Sequence, residues 1–295
     1  MKNCHVIVNP NAGNGKGRKV QQQMEEYLRQ RQVDCRYHFT EKTGDAETLA
    51  RQLKPEEVGL LAVIGGDGTY NEVLNGMAIG EYPLALIPAG TGNDFCRMLG
   101  ITDWKTAVET MLAGTPQMVD YGEVNQRFFL NFFSTGLDAA IANQANEWKG
   151  RYPGKVIYIL SLIKQVLRLE TYQYQLTWDD GAYQGPGQLL ALCNGAYYGG
   201  GMKICPKASL VDGKLDLCLL KPMSRIKILT LFPTVFIGKH LRFKEILYCQ
   251  TGRVTLTVQG QACAMNMDGE IHQEKQIEAR VISGKLNLMM PGKSI

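Results

Sequence analysis

Three glycine-rich stretches in the first hundred residues have the composition of anion cradles: Asn9-Pro10-Asn11-Ala12-Gly13 running on to Gly17, Gly65-Gly66-Asp67-Gly68-Thr69, and Ala89-Gly90-Thr91-Gly92-Asn93. Glycine lets backbone N–H groups approach phosphate oxygens closely, and the N-terminus of a following helix favours negative charge. One such loop can be no more than a tight strand–helix turn. Three at the strand ends of an open α/β sheet, where ligands bind, point to a nucleotide phosphate. Asp67 lies among three glycines, so its carboxylate would stand beside bound phosphates. Two negative groups tolerate that closeness only with a cation between them, and a bridging Mg²⁺ is the simple solution. The alternative for Asp67 is to cap the helix that starts near Thr69. Asp94 opens a helix after Gly92-Asn93 and reads as a cap at least as readily as a catalytic group.

Two common nucleotide fingerprints are absent. In a Walker loop the Gly15-Lys16 pair would precede Ser or Thr, but Gly17 follows, and Pro10 stands where the first glycine belongs. Gly13-Asn14-Gly15-Lys16-Gly17 has the spacing GxGxG and fails the dinucleotide pattern.

The elements that must position these loops are legible as hydrophobic periodicity. Residues 5–8, 35–39, 60–64 and 84–87 read as strands, and residues 19–32, 46–53, 70–77 and a segment opening at Asp94 read as helices, with Val20, Met24, Tyr27 and Leu28 on one face of the first. This alternation predicts a parallel sheet with helices on both faces, a Rossmann-like α/β domain over residues 1–120. Beyond it the texture changes. Residues 121–124 and 128–133 flank a turn at Asn125-Gln126-Arg127, and strand-like runs follow at 172–178, 189–193, 214–220, 253–258, 277–281 and 286–290. Helical segments at 155–169 and 224–237 interrupt them. Residues 121–295 therefore read as a mostly antiparallel, β-rich domain of β-sandwich type, whose last strand is free to return to the first domain.

The chain is 45% hydrophobic and 20% charged, an ordinary globular balance, and its net charge of +4 is too small to argue for nucleic acid while it suits anionic ligands or membranes. Cys4, Cys35, Cys96, Cys193, Cys205, Cys218, Cys249 and Cys263 are scattered without a CxxC pair, which predicts buried reduced thiols and a reducing cytoplasm rather than a zinc site or disulfide framework. The first residues carry no signal-peptide pattern. The longest apolar runs, 156–163 and 228–237, fall short of the roughly 18 residues of a membrane span.

Gly65-Gly66-Asp67-Gly68-Thr69-Tyr70-Asn71-Glu72 and Ile87-Pro88-Ala89-Gly90-Thr91-Gly92-Asn93-Asp94-Phe95-Cys96-Arg97 resemble the two signature loops of the diacylglycerol kinase catalytic-domain family, which includes soluble bacterial diacylglycerol kinases and sphingosine kinases. The likeness extends in the family's order through Asn9-Pro10-Asn11-Ala12-Gly13, Thr40, Phe129-Leu130-Asn131, Gly136-Leu137-Asp138, Asp212-Gly213-Lys214-Leu215-Asp216 and Asp268-Gly269-Glu270. It implies a nucleotide cleft between the two domains. ATP would be contacted by Asn9, Pro10, Asn11, Ala12, Gly13, Thr40, Gly65, Gly66, Asp67, Gly68, Thr69, Tyr70, Asn71 and Thr91. It further implies that Asp268 and Glu270 activate a lipid hydroxyl, with Glu270 the favoured base, and that Asp67 serves a catalytic Mg²⁺. The plain alternative for Asp268-Gly269 is a hairpin turn. Ser209, Asp212 and Lys214 match a structural Mg²⁺ site of bacterial members, where a hairpin turn is again the alternative.

Lys16, Arg18 and Arg97 are candidates to offset phosphate charge. For the lipid side, Trp148, Tyr152 and Tyr158 with Lys149, Arg151, Lys155, Lys164 and Arg168 flank an apolar run, as suits a membrane interface; the alternative is a helix packed on the sheet. Arg225, Lys227, Lys239, His240, Arg242 and Lys244 form a second basic group. The expectation is an ATP- and Mg²⁺-dependent lipid kinase, cytoplasmic and peripheral to the inner membrane face, with diacylglycerol as substrate, no nucleic-acid partner, and a homodimer left open. NAD kinases and phosphofructokinases share a Gly-Gly-Asp-Gly loop, so a soluble acceptor such as NAD is the alternative. A catalytically silent nucleotide-binding regulator is a third, against which Asp67, Asp268 and Glu270 argue.

Overall fold

A computed structural model describes residues 3–148, 154–260 and 263–292. The chain forms two compact units, Met1–Tyr121 with Ser283–Ile295, and Gly122–Ile282. In the first, β1 (Cys4–Val8), α1 (Ala12–Arg29), β2 (Cys35–Phe39), α2 (Asp45–Gln52), β3 (Leu60–Gly65), α3 (Asp67–Gly76), β4 (Leu84–Pro88), α4 (Asp94–Met98) and α5 (Trp104–Ala113) precede β5 (Thr115–Val124), which leads out of the unit. The parallel order is β2-β1-β3-β4. Every residue of β1, β3 and β4 is buried, as a strand covered on both faces requires. Helix α1 buries Val20, Met24 and Leu28. Tyr27 instead leaves the core and meets the Trp104 ring edge-on at 5.9 Å.

The second unit contains β6 (Arg127–Phe129), β7 (Phe132–Gly136), α6 (Leu137–Glu147), α7 (Gly154–Leu167), β8 (Tyr172–Trp178), β9 (Gly181–Gly187), β10 (Leu189–Cys193), β11 (Leu215–Leu220), α8 (Arg225–Val235), β12 (Ile246–Thr251), β13 (Arg253–Gln259), β14 (Cys263–Met267), β15 (Glu270–Glu274) and the first part of β16 (Gln276–Met290). One antiparallel sheet runs β12-β11-β10-β7-β14-β15, and a second set runs β16-β13-β8-β9. Phe133, Leu190, Leu192, Leu217 and Leu219 of the first pack against Tyr174, Leu176, Val254, Leu256 and Ile277 of the second, which makes a β-sandwich. The outer face of the first sheet, with Ala191, Cys193, Cys218 and Leu220, is covered by Leu162 and Val166 of α7 and by Ile228, Leu231 and Val235 of α8. An α/β domain with a parallel sheet and an antiparallel β-sandwich domain is the fold expected above.

Several boundaries differ for physical reasons. Asn125 and Gln126 have φ of 47° and 68°, the left-handed pair of a tight hairpin, as expected. The run at 128–133 is two strands, because the chain turns at Leu130-Asn131. The runs at 277–281 and 286–290 are one long strand, β16, whose end lies parallel beside β4 with Leu288 opposite Leu84. Pro233 sits inside α8 without ending it. Helices α5 and α6 were not anticipated. Among the described residues no helix is long and apolar enough to cross a membrane.

The passage of β16 beside β5 rests on Asp120, which is buried and accepts hydrogen bonds from the Ser283 hydroxyl (2.9 Å) and the Gly284 N–H (2.7 Å). Asp120→Ala would leave both donors unsatisfied. It is expected to lower unfolding free energy by about 2–3 kcal/mol in urea titrations, the scale of hydrogen bonds to a charged group.

Candidate active site

The three glycine-rich loops are built against one another in the first unit. A Cβ on Gly90 would stand 2.6 Å from the Gly66 Cα, so the second and third loops pack backbone to backbone and admit no side chain. Gly13, at φ 56°, brings the first loop to the third; a Cβ there would lie 2.3 Å from the Ala89 carbonyl oxygen. Polar contacts complete the lock. The Asn9 side chain donates to the Thr69 hydroxyl (3.1 Å) and accepts from the Asn11 N–H (3.1 Å). The Gly65 carbonyl accepts from the N–H groups of Ala89 (2.7 Å) and Gly90 (2.9 Å) and from the Tyr70 hydroxyl (3.1 Å). Thr40 joins this edge through its N–H to the Val8 carbonyl (2.9 Å).

The expected nucleotide contacts divide accordingly. Asn9 and Thr69 meet directly, and Pro10, Asn11, Ala12, Gly13, Gly65, Gly66, Asp67 and Gly68 lie along the two loops they join. Thr91 is exposed on the third. Tyr70 and Asn71 are both wholly buried; the Tyr70 hydroxyl donates to the Gly65 carbonyl, and the Asn71 carbonyl accepts from the Asn75 amide (2.9 Å).

Asp67 does not cap α3, whose N-cap is Gly66. Its carboxylate crosses to the next loop and accepts the N–H groups of Asp94 and Phe95, each at 3.2 Å, at the start of α4. The carboxylates of Asp67 and Asp94 converge on the space that glycine leaves at position 92, where a Cβ would lie 3.4 Å from one Asp67 oxygen and 3.5 Å from one Asp94 oxygen. Burial and the neighbouring Asp94 charge push the Asp67 carboxyl up to about 6, against the opposing pull of the two amides. Two like charges held together in this way suit a hard divalent cation. Mg²⁺ typically takes one or two protein carboxylates and completes its shell with phosphate oxygens and water, so the donor set fits it. Among the described residues no group of three or more His, Cys, Asp or Glu forms an all-protein metal cage. Asp94, which the sequence left open between a cap and a catalytic group, lies beside Asp67 as half of an acidic pair. The signal for it was an Asp in each loop after two adjacent strands.

In the second unit Asp268-Gly269 is a hairpin turn, with φ of 48° and 100°, that joins β14 to β15. The buried Asp268 carboxylate accepts the N–H groups of Leu130 (2.6 Å), Asn131 (3.1 Å) and Phe132 (2.8 Å). These three backbone donors occupy the carboxylate oxygens, so Asp268 anchors the turn to the Leu130–Phe132 segment. Glu270 is half-buried, 3.6 Å from the His272 imidazole and 4.0 Å from the Arg127 guanidinium. Asp138 was seen only as part of a resemblance. It is buried, accepts from the Ser134 hydroxyl (2.5 Å) and the Asn266 amide (3.5 Å), and burial pushes its carboxyl up to about 6. Asn266 in turn accepts the Gly269 N–H (2.9 Å) and so braces the turn.

At the loop expected to hold a structural Mg²⁺, Asp212 accepts the Lys214 N–H (3.1 Å) and the Gln250 amide (3.2 Å), and the Ser209 hydroxyl accepts the Val211 N–H (3.4 Å). Gln250 also reaches Asp216 at 3.3 Å. Of the basic candidates, Arg97 pairs with Asp94 (3.5 Å), Arg18 lies over the Phe39 ring (5.0 Å), and Lys16 is exposed. His240 is corrected: it is buried against the Ile204 carbonyl and held below its ordinary value by burial, so it adds no surface charge. Lys227 is paired with Glu245 (2.6 Å). Lys149, Arg151 and Tyr152 lie outside the described residues, as do the side chains of Lys155 and Tyr158.

Residues 3–124 match the diacylglycerol kinase catalytic domain family, and residues 131–290 match the YegS C-terminal NAD kinase beta sandwich-like domain. Over 274 residues the chain is 30% identical to the diacylglycerol kinase of Bacillus subtilis (strain 168), covering 92% of this chain and 90% of that protein. The chain belongs to the diacylglycerol kinase family. A diacylglycerol kinase of Mycobacterium tuberculosis (strain ATCC 25618 / H37Rv) is 29% identical over 295 residues, covering 97% of this chain and 94% of that one. A crystal structure of a candidate diacylglycerol kinase from Bacillus anthracis str. Sterne aligns with a TM-score of 0.83 at 26% identity, covering 100% of this chain and 99% of that chain. An Archaeoglobus fulgidus NAD kinase in complex with ATP aligns at 0.50 and 11% identity, covering 98% and 94%, a likeness of fold alone. Membership in this kinase family implies ATP as the co-substrate.

The raised Asp67 value carries a sign. Between its ordinary 3.8 and about 6 the folded protein binds more protons than the unfolded chain, so this group's contribution to stability falls as pH rises through that window. Without Mg²⁺, the unfolding free energy of the wild type minus that of Asp67→Asn is expected to drop by up to about 3 kcal/mol across it, less where solvent reaches the partly exposed side. Urea unfolding at several pH values reads this out. A difference that stays flat would show that Asp67 is not the titrating group.

Proposed function

We propose that the protein is an ATP- and Mg²⁺-dependent lipid kinase that phosphorylates a lipid hydroxyl at a membrane surface, with diacylglycerol converted to phosphatidic acid as the leading reaction. The observation that carries the kinase reading is the convergence of Asp67 and Asp94 beside three interlocked glycine loops. In this reading the loop amides bind the ATP phosphates, with Asn9 and Thr69 fixing the first loop to the second and Thr40 and Thr91 on the nucleotide side. Asp67 with Asp94 would hold Mg²⁺, which when bound offsets charge on the β- and γ-phosphates. Glu270 accepts the proton of the attacking hydroxyl, and Asp268 holds the turn that presents it. Residues 1–120 are the nucleotide-binding part and residues 121–295 the lipid-substrate part. Ser209, Asp212 and Lys214 are kept as a structural Mg²⁺ site, whose oxygen donors suit that ion.

A lipid acceptor is supported by the outer side of the second unit. Helices α7 and α8 pack together and leave Ile159, Ile163 and Leu167 of the one and Ile226 and Leu229 of the other facing outward, with Ile226 79% and Leu167 64% exposed. Arg168, Arg225, Lys239, Arg242 and Lys244 are exposed nearby in sequence. Exposed apolar side chains on two packed helices, with basic residues near them in sequence, fit an anionic bilayer surface.

Labelled ATP and Mg²⁺ presented to a panel of micellar lipids, with NAD as a soluble control, test the reading. Phosphate is expected on diacylglycerol, and Asp67→Ala and Glu270→Gln are each expected to lower kcat by about 10²–10⁴-fold. Label appearing only on NAD would sink the lipid assignment, and full activity in either variant would remove that residue from the mechanism. For the docking face, Ile163→Glu/Ile226→Glu is expected to weaken co-sedimentation with phosphatidylglycerol vesicles about tenfold or more while activity on a short-chain, monomeric diacylglycerol persists. Unchanged sedimentation would place docking elsewhere.

A further inference from the structure

Cys4 and Cys35 are separated by 31 residues, yet they are direct partners in the parallel register of β1 and β2. Register partners project to the same side of a sheet, and the two Sγ atoms lie 2.7 Å apart. Neighbouring strands are about 4.8 Å apart, inside the Cα separation of about 4.4–6.8 Å that a disulfide spans, so a bond requires no rearrangement of the strands. The pair is also asymmetric. Cys4 is buried within β1, whereas Cys35 is half-buried on β2, the edge strand of its sheet. The thiol hydrogen bond holds Cys35 below its ordinary value and, with burial, holds Cys4 well above. One sulfur is thus suited to attack, and the other waits behind it. Cys96, Cys193, Cys205 and Cys218 are all buried, so a solute does not reach them in the folded protein.

We propose that Cys4 and Cys35 are a redox-responsive dithiol that a small-molecule disulfide converts into an intramolecular Cys4–Cys35 disulfide. The Cys35 thiolate attacks one sulfur of the small disulfide, forms a mixed disulfide and expels one thiolate, which takes up a proton. Cys4 gives its proton to solvent and attacks the Cys35 sulfur, closing the protein disulfide and expelling the second small thiolate. Two protein thiols are oxidised and one small disulfide is reduced to two thiols. The bond closes a loop that contains α1 and the Asn9-to-Gly17 segment, and it ties together the strands that lead to Asn9 and to Thr40. This proposal does not depend on the lipid-kinase reading.

The test treats the reduced full-length protein with glutathione disulfide, followed by thiol counting, peptide mapping without reductant and thermal unfolding. The expected result is loss of two thiols, a linked peptide pair containing Cys4 and Cys35, and a rise in Tm of roughly 3–10 °C that dithiothreitol reverses. Cys35→Ser should lose all three signatures while keeping the unfolding curve of the reduced wild type. A glutathione adduct that persists on Cys35, linked peptides joining other cysteines, or no thiol loss would each overturn the proposal.

Discussion

The carboxylate of Asp67 is the point on which the first unit's chemistry turns. By accepting the N–H groups of Asp94 and Phe95 it fastens the loop after β3 to the loop after β4. The same reach brings it against a second carboxylate, and burial together with that neighbouring charge raises its proton affinity above that of an ordinary aspartate. The glycines follow from this constraint. Side chains at positions 66 and 90 would push the loops apart, and one at position 92 would fill the space where the two acids meet. In the proposed reading, a cation bound there would offset the two carboxylate charges.

The second unit uses backbone amides in the opposite sense. Asp268 receives three N–H groups from the turn at Leu130 to Phe132, so its charge is satisfied rather than exposed. That contact explains why the sequence between β6 and β7 turns although it reads as one strand, and it fixes the hairpin that carries Glu270. Two aspartates in similar Asp-Gly settings thus have different fates: Asp67 keeps a like charge beside it, and Asp268 is held by three backbone donors.

Much of the architecture was legible because it depends on local periodicity. The apolar run at 60–64, the turn at Asn125-Gln126 and the helical segment beginning at Ser224 are short-range signals, and the strand, turn and helix they mark are present. The glycine loops were legible as tight strand–helix connections. What could not be read was partnership across the chain. Whether Asp67 would cap its own helix or the next depends on β3 and β4 being neighbours, and the clamp on Asp268 spans 136 to 138 residues. Cys4 and Cys35 are scattered in sequence and adjacent only through strand register. His240 counts as basic in a sequence and is neutralised by burial that no local pattern announces.

The first unit is discontinuous: β4 receives its far-side neighbour from β16, some two hundred residues later in the chain. During synthesis, therefore, β4 waits as an unpaired edge while the whole β-sandwich is being made, roughly 10–40 s at ordinary elongation rates. Its apolar residues Leu84, Leu86 and Ile87 would be open to mispairing for that interval. The order of translation thus makes synthesis of the sandwich a precondition for closing the first unit's sheet.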